Sequence, residues 1–297
     1  MKNRQTKIFQ FWCHFILVLI VLSIVLPFAL LIIASFTHEE TIMQYGYSFF
    51  PKRWSLDAYK YLVDQADYIF NSLKISVLVT VIGTFCGMVL TCLLAYSLSR
   101  RDFPLRKILS FLVFFTMLFN GGLVPTYLVY TQIFHIKNTL AGLIVPGLLM
   151  NGFNIILVRT FFATNIPEAI IESARIDGLG EFGTFWRIVL PLSLPILATL
   201  GLMTGVAYWN DWYNGLIYIT QPQLFSLQNL LNRILENISF LQRNSSLGAA
   251  AAREIARIPG NTVRMAMAVV GVIPVLVVYP FFQKYFVKGI TIGAVKE

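Results

Sequence analysis

The sequence predicts an all-α integral membrane protein with six membrane-spanning helices, and three observations lead there. Hydrophobic residues make up 57% of the 297 and charged residues 12%, with a mean hydropathy of +0.71, a balance outside that of water-soluble domains. Six segments offer the roughly 20 mostly apolar residues that a helix rising about 1.5 Å per residue needs to cross a hydrocarbon core about 30 Å thick. The short connections rich in Lys and Arg all fall on one side of such an arrangement, as cytoplasmic connections do.

In order, the expected spans are residues 11–36, 75–98, 108–130, 140–162, 190–213 and 265–282 of a single transmembrane domain covering 1–297. The first two are the cleanest. The third to fifth carry Pro or Gly, which neighbouring helices accommodate inside a membrane. In the last span Pro274 and Pro280 each remove a backbone donor and are expected to bend the helix. Proline is common in membrane helices, so the bend need not be a gate.

Orientation follows from the basic residues. Lys2, Arg4 and Lys7 lie in the N-terminal tail, Arg100, Arg101, Arg106 and Lys107 in the second connection, and Lys284, Lys288 and Lys296 in the C-terminal tail. Both termini are therefore expected in the cytoplasm, with the chain a multi-pass membrane protein. The connection 37–72 sets Lys52, Arg53 and Lys60 against Glu39, Glu40, Asp57, Asp64 and Asp67, a net charge of −2. Loop 216–263 is basic, but long loops obey the rule poorly. The first span is too long for a signal-peptide core and is expected to be retained.

Several function classes lose support. The formal charge of +9 is spread over juxtamembrane anchors and forms no basic stripe, which argues against nucleic acid. Cys13, Cys86 and Cys92 sit in apolar segments without metal-ligand spacing to His14, His38 or His135. No phosphate loop, nucleophile elbow or zinc-protease motif occurs, so no catalytic residue, metal or cofactor is expected on this chain. Lys74, Arg264, Lys284 and Asp211 lie near span ends, which weakens an ion-coupled carrier. Sodium carriers that use backbone carbonyls keep that alternative open.

A charged insertion, residues 165–189, interrupts this apolar chain between spans four and five. Pro167 suits a first helical turn, and Glu168 and Glu172 put negative charge near the helix start, where the macrodipole favours it. The helix is expected to run to about Asp177. Gly178 supplies the left-handed conformation of a helix end, Gly180 loosens the corner, and a second helix follows from about Glu181 to Val189. Ala169, Ile170, Ser173, Ala174 and Ile176 offer small or apolar surface for a partner, while Glu172, Arg175 and Asp177 offer charge. The competing reading, an amphipathic helix on lipid headgroups, meets repulsion between the anionic leaflet and Glu168, Glu172, Asp177 and Glu181.

Glu172-Ser173-Ala174, three residues, Gly178, nine residues, then Ile188-x-Leu190-Pro191 resembles the E-A-A-x3-G-x9-I-x-L-P loop of ABC importer permeases, with Ser173 in place of the middle alanine. Trp209-Asn210-Asp211-Trp212-Tyr213 is similar to the W-N-[DE]-[FW] signature of carbohydrate importer permeases of the maltose type. The segment from Tyr279 to Gly289 resembles their C-terminal end, and residues 289–297 resemble tails in a branch handling complex oligosaccharides in Gram-positive bacteria.

The resemblance covers essentially the whole chain and implies the MalG-like half of a type I ABC importer permease, with a cytoplasmic EAA-type coupling helix. It implies as partners a second permease subunit, an ATPase dimer that binds ATP and Mg, an extracellular lipid-anchored solute-binding protein, an oligosaccharide substrate and membrane lipid. Glu172, Ser173, Ala174, Arg175, Asp177 and Gly178 become ATPase-docking residues, supported by Ile188, Leu190 and Pro191, while Thr291, Gly293 and Lys296 in the tail are candidates for a further ATPase contact. Closure of the ATPase dimer then swings the membrane helices between inward-open and outward-open states. Import of a non-sugar solute is the alternative within this class.

Tyr208, Trp209, Asn210, Trp212, Tyr213 and Asn214 combine flat rings with amides at the expected outer end of span five, a pairing that stacks on sugar faces and binds hydroxyls. An aromatic belt anchoring the span at the interface explains the same residues. Outside the membrane, Ser226 is expected to cap a helix with Leu227, Leu230, Leu231, Ile234 and Ile238 on one face. Residues 242–246 resemble in position the family's loop that reaches into the binding protein.

Overall fold

The computed structural model describes residues 2–243 and 260–294, the backbone alone for 2–5, 238, 241–243, 281–282 and 284–294. Among these residues the chain is helical, and the extended pairing is a single isolated bridge between Thr37 and Trp54. It divides into two compact units, Met1–Ile69 with Leu231–Pro274 and Phe70–Leu230 with Val275–Glu297.

In the first unit, α1 (Lys2–Ser35) contains an apolar stretch, Thr6–Ser35, of 30 residues. Pro27 lies inside it without ending the helix. Beyond it Ser35 Oγ meets Tyr59 Oη at 2.8 Å, and the Phe36 and Tyr59 rings stack at 4.7 Å, joining the end of α1 to α3 (Asp57–Asp64). Between them lies α2 (Glu39–Tyr45), whose Glu39 caps the last helix. One carboxylate oxygen accepts from the Asn261 backbone N–H (2.9 Å) and Nδ2 (2.8 Å), the other from the Thr262 N–H and Oγ1 (both 2.9 Å). A carboxylate there satisfies orphan donors and meets the positive end of the helix dipole.

The second long helix, α4 (Ala66–Ser99), runs its full 34 residues. The third expected span breaks. Helix α5 (Arg106–Leu118) and the stretch Leu123–Ile133, formed by α6 (Leu123–Leu128) and a π-helical turn Val129–Ile133, meet at a 119° bend. The bend sits at Asn120-Gly121-Gly122, where Gly122 has φ +86° and its N–H donates to Asn120 Oδ1, a turn signature that an apolar count overlooks.

The fourth span breaks as well. A short α7 (Ala141–Ile144) stops before Pro146, Gly147 turns at φ +72°, and α8 (Gly152–Asn165) starts afresh with Asn151 Oδ1 accepting from the N–H groups of Phe153 and Asn154. Arg159 of α8 donates from Nε to the Leu98 carbonyl at 3.2 Å, closing the end of α4. One apolar core joins Cys92, Ala95 and Tyr96 of α4 to Val158 and Phe162 of α8, with Ile166, Ile171, Phe185, Val189 and Leu200.

Later in the chain, α9 (Glu168–Ile176), α10 (Glu181–Thr184) and α11 (Leu190–Leu192) form the insertion, and α12 (Leu194–Trp209) forms most of span five. The path from Glu181 to Leu192 is helical throughout, then turns 82° at Ser193 into α12. Pro195 explains the turn, because it cannot donate to the Pro191 carbonyl and its ring crowds that group. Helices α13 (Tyr213–Tyr218) and α14 (Leu227–Arg243) follow. As expected, Ser226 Oγ accepts from the Asn229 N–H (3.4 Å), and Leu227 and Leu231 are buried. The Ile238 side chain and residues 244–246 lie outside the described residues. Finally α15 (Gly260–Ala294) continues helical through Pro274 and Pro280.

Candidate functional site

The insertion folds as a helix, a glycine corner and a second helical path. Ile166 and Pro167 are extended, which lets α9 leave α8 at 77°, since a residue before proline avoids the helical region. Pro167 stands at the N-cap, just ahead of the helix. At the other end Gly178 has φ +80°. Its N–H donates to the Arg175 carbonyl at 3.0 Å, and the Leu179 N–H donates to the Ala174 carbonyl at 2.9 Å. These two bonds form a Schellman ending, which needs a left-handed residue at the Gly178 position.

Helical periodicity then separates two faces. Ile171 and Ala174, three residues apart, turn inward. Burying Ile171 in the core of α4 and α8 contributes about 1.5–3 kcal/mol. Glu168, Glu172 and Ile176 follow at steps of four on the open side, with Ser173 and Asp177 exposed beside them. Among the described residues the Glu172 side chain has no hydrogen bond or ion pair, so its charge is free for a partner.

Two members of the expected docking set behave differently. Ala174 is 3% exposed, so its small size serves packing within the chain and offers no surface to a partner. Arg175 is engaged internally. Its Nη2 donates to Asp102 Oδ2 at 2.5 Å and to Glu181 Oε1 at 2.7 Å, and its Nε donates to the same Glu181 oxygen at 3.1 Å. Tyr96 Oη donates to Glu181 Oε2 at 2.6 Å, and Arg100 Nε lies 3.6 Å from Asp102 Oδ1.

The electrostatics follow from this network. The Arg175 guanidinium holds the Asp102 carboxyl below the usual carboxylate range. Burial raises the Glu181 carboxyl, but hydrogen bonds from Tyr96 and Arg175 outweigh it and leave the group lowered. Hydrogen bonds to Asp102 and then Glu181 raise the pKa of Arg175 itself. Asp102 and Glu181 were not singled out as site residues, although a lone acid among Arg100, Arg101, Arg106 and Lys107 is a readable signal.

The supporting half of the motif forms a π-helical turn, Phe185–Val189, that runs into α11. Ile188 and Leu190 are half-buried and Pro191 is exposed. Phe185 and Val189 supply the buried contacts, and the helical path passes Pro191 before it turns at Ser193. Thr291 and Gly293 belong to the helical backbone of α15, while Lys296 lies outside the described residues.

At the far end of α12 the six aromatic and amide residues divide. Tyr208 is buried over Gly83 and donates from Oη to the Ile144 carbonyl at 2.8 Å. Asn214 is buried and donates from Nδ2 to the Pro146 carbonyl at 2.9 Å. Trp209 is buried too. These contacts give Tyr208 and Asn214 a structural task, because they satisfy carbonyls that the broken fourth span leaves without helical partners. Asn210, Trp212 and Tyr213 remain exposed, the two rings edge to face at 6.0 Å.

Comparison with known proteins bears on this architecture. The family model described as binding-protein-dependent transport system inner membrane component matches residues 81–292, which include the whole insertion. The polygalacturonan/rhamnogalacturonan transport system permease protein YtcP of Bacillus subtilis (strain 168) is 43% identical over 297 residues, covering 100% of both chains. Protein LplC of the same organism is 38% identical over 274 residues, 92% of this chain and 89% of that one. A solved structure, the crystal structure of a bacterial ABC transporter involved in the import of the acidic polysaccharide alginate, superposes with a TM-score of 0.79 at 26% identity, over 95% of this chain and 98% of the other.

Proposed function

This chain belongs to the family of binding-protein-dependent transport system inner membrane components, and we propose that it is the MalG-like permease half of an importer for oligosaccharides derived from acidic polysaccharides. It acts in the plasma membrane as a multi-pass subunit with both termini in the cytoplasm, crossing six times through a single transmembrane domain. It pairs with a second permease subunit, rests on an ATPase dimer and receives sugar from a lipid-anchored binding protein outside. ATP and Mg belong to the ATPase, and this chain binds no cofactor of its own. Family membership leaves an ion-coupled carrier acting alone without support.

The observation that carries this reading is the outward acidic face of α9, Glu168, Glu172 and Asp177, on a helix whose other face buries Ala174 and is fastened into the core by Ile171. Glu172 pairs with a basic group in an ATPase cleft, and the rigid fit of α9 passes the displacement inward. The tail around Thr291, Gly293 and Lys296 adds a second contact. Outside, Asn210, Trp212 and Tyr213 are the substrate-facing members of the aromatic cluster. An acidic oligosaccharide is supported by the names of two similar proteins, one for polygalacturonan and rhamnogalacturonan transport and one for import of an acidic polysaccharide.

Reconstituted importer carrying Glu172→Ala should insert and assemble yet lose sugar-stimulated uptake while ATP hydrolysis continues. Wild-type uptake by that variant would reject the docking role. Binding of neutral and uronate-containing oligosaccharides to the cognate binding protein tests the substrate, and exclusive capture of neutral sugars would reject the acidic class.

A further inference from the structure

The covalent route from the docking helix to the membrane is soft. Between α9 and α10 lie Asp177, Gly178, Leu179 and Gly180, and a Cβ added to either glycine would meet nothing within 4 Å. A corner with two unpacked glycines transmits force poorly, because glycine has the widest range of backbone conformations. One side chain bridges it. Arg175, on the last turn of α9, reaches across to Glu181 on the first turn of α10 and also to Asp102, just beyond the end of α4. Glu181 in turn holds Tyr96, a 7% exposed residue of α4 whose ring lies 5.3 Å from that of Phe185.

We propose that Arg175 is a positioning residue for coupling, locking the docking helix, the start of α10 and the corner after α4 into one rigid body. The inference rests on reading the insertion as the ATPase-docking site. A push on Glu172 then reaches α4 through Asp102 and Tyr96 as well as α12 through α10 and α11. A planar guanidinium suits the task, since it offers several donors in a fixed fork and meets two carboxylates at once, whereas a lysine ammonium is a point charge on a flexible stem. The pairs are partly exposed, with side-chain exposures of 42% for Arg175, 53% for Asp102 and 51% for Glu181. Such pairs contribute little stability, so what they supply is geometry.

The test uses the assembled importer with its ATPase, in a background lacking Cys13, Cys86 and Cys92. Spin labels at Ala169→Cys on α9 and Arg101→Cys at the corner, both exposed positions, report the distance between the two elements. In the otherwise unmodified chain that distance should be narrowly distributed and the same with and without ATP. Arg175→Ala should broaden it, keep the ATPase bound, leave the melting temperature nearly unchanged and lower sugar transported per ATP on the order of tenfold. Arg175→Lys should fail to restore the ratio, and Tyr96→Phe combined with Arg175→Ala should lower it no further. A narrow distance and an unchanged ratio in Arg175→Ala, or loss of the ATPase from that variant alone, would overturn the inference while leaving the docking reading in place. A complex in which the unmodified chain holds no ATPase removes both.

Discussion

Gly178 shows how a single residue joins sequence to mechanism. Its φ of +80° is required by the Schellman ending, and its surroundings are open, so the penalty for replacing it is conformational. Gly178→Val should cost about 1–2 kcal/mol, read as a lower melting temperature of the purified importer, and Gly178→Asn should lie closer to wild type because Asn tolerates the left-handed region. The Arg175 network should also respond to pH. Folding lowers the pKa of both Asp102 and Glu181, so its contribution is complete above the usual carboxylate range near pH 4 and disappears as pH falls through the lower folded values. The distance between labels at positions 169 and 101 should therefore stay narrow at neutral pH and broaden below about pH 4. Gly178 was legible because a helix stop is local chemistry. The fate of Arg175 was not, since it depends on Asp102, 73 residues away in the chain, and the inward turn of Ala174 follows from packing, which no local pattern records.

Among the elements, the broken spans carry the lesson. Composition identifies the apolar segments around residues 108–130, 140–162 and 190–213 but says little about where their helices stop. The Asn-Gly-Gly turn, the Pro146-Gly147 pair and Pro195 were each visible, and a rule tolerant of Pro and Gly in membranes passed over them. A break inside an apolar segment must find new partners for its backbone, and Tyr208 and Asn214 provide them for Ile144 and Pro146. Removing either donor should therefore destabilise the protein, with Asn214→Ala costing about 1–3 kcal/mol in thermal unfolding. Tyr208→Phe, which removes only the hydroxyl, should fall in the same range. Glu39 has an equivalent task at the start of α15. Glu39→Ala leaves four donors without their acceptor and should cost about 2 kcal/mol or more, with Glu39→Gln recovering part of it.

For the whole molecule, α1 sets the problem that the environment must solve. None of its most apolar window is buried by the rest of the chain, so lipid or the second permease must cover it. The proposed orientation predicts that a membrane-impermeant thiol reagent labels Tyr47→Cys in intact spheroplasts and Arg101→Cys only after permeabilisation; the reverse pattern would invert the topology. By itself, the sequence determined the membrane class, the position of the acidic elbow and its glycine stop, because hydropathy, charge placement and helix-end chemistry act over one or two turns. Tertiary structure alone decided which face of α9 is free, where Arg175 spends its charge and which members of the aromatic cluster remain exposed. Those outcomes rest on packing and hydrogen bonds between residues distant in sequence, whose meeting no local pattern records.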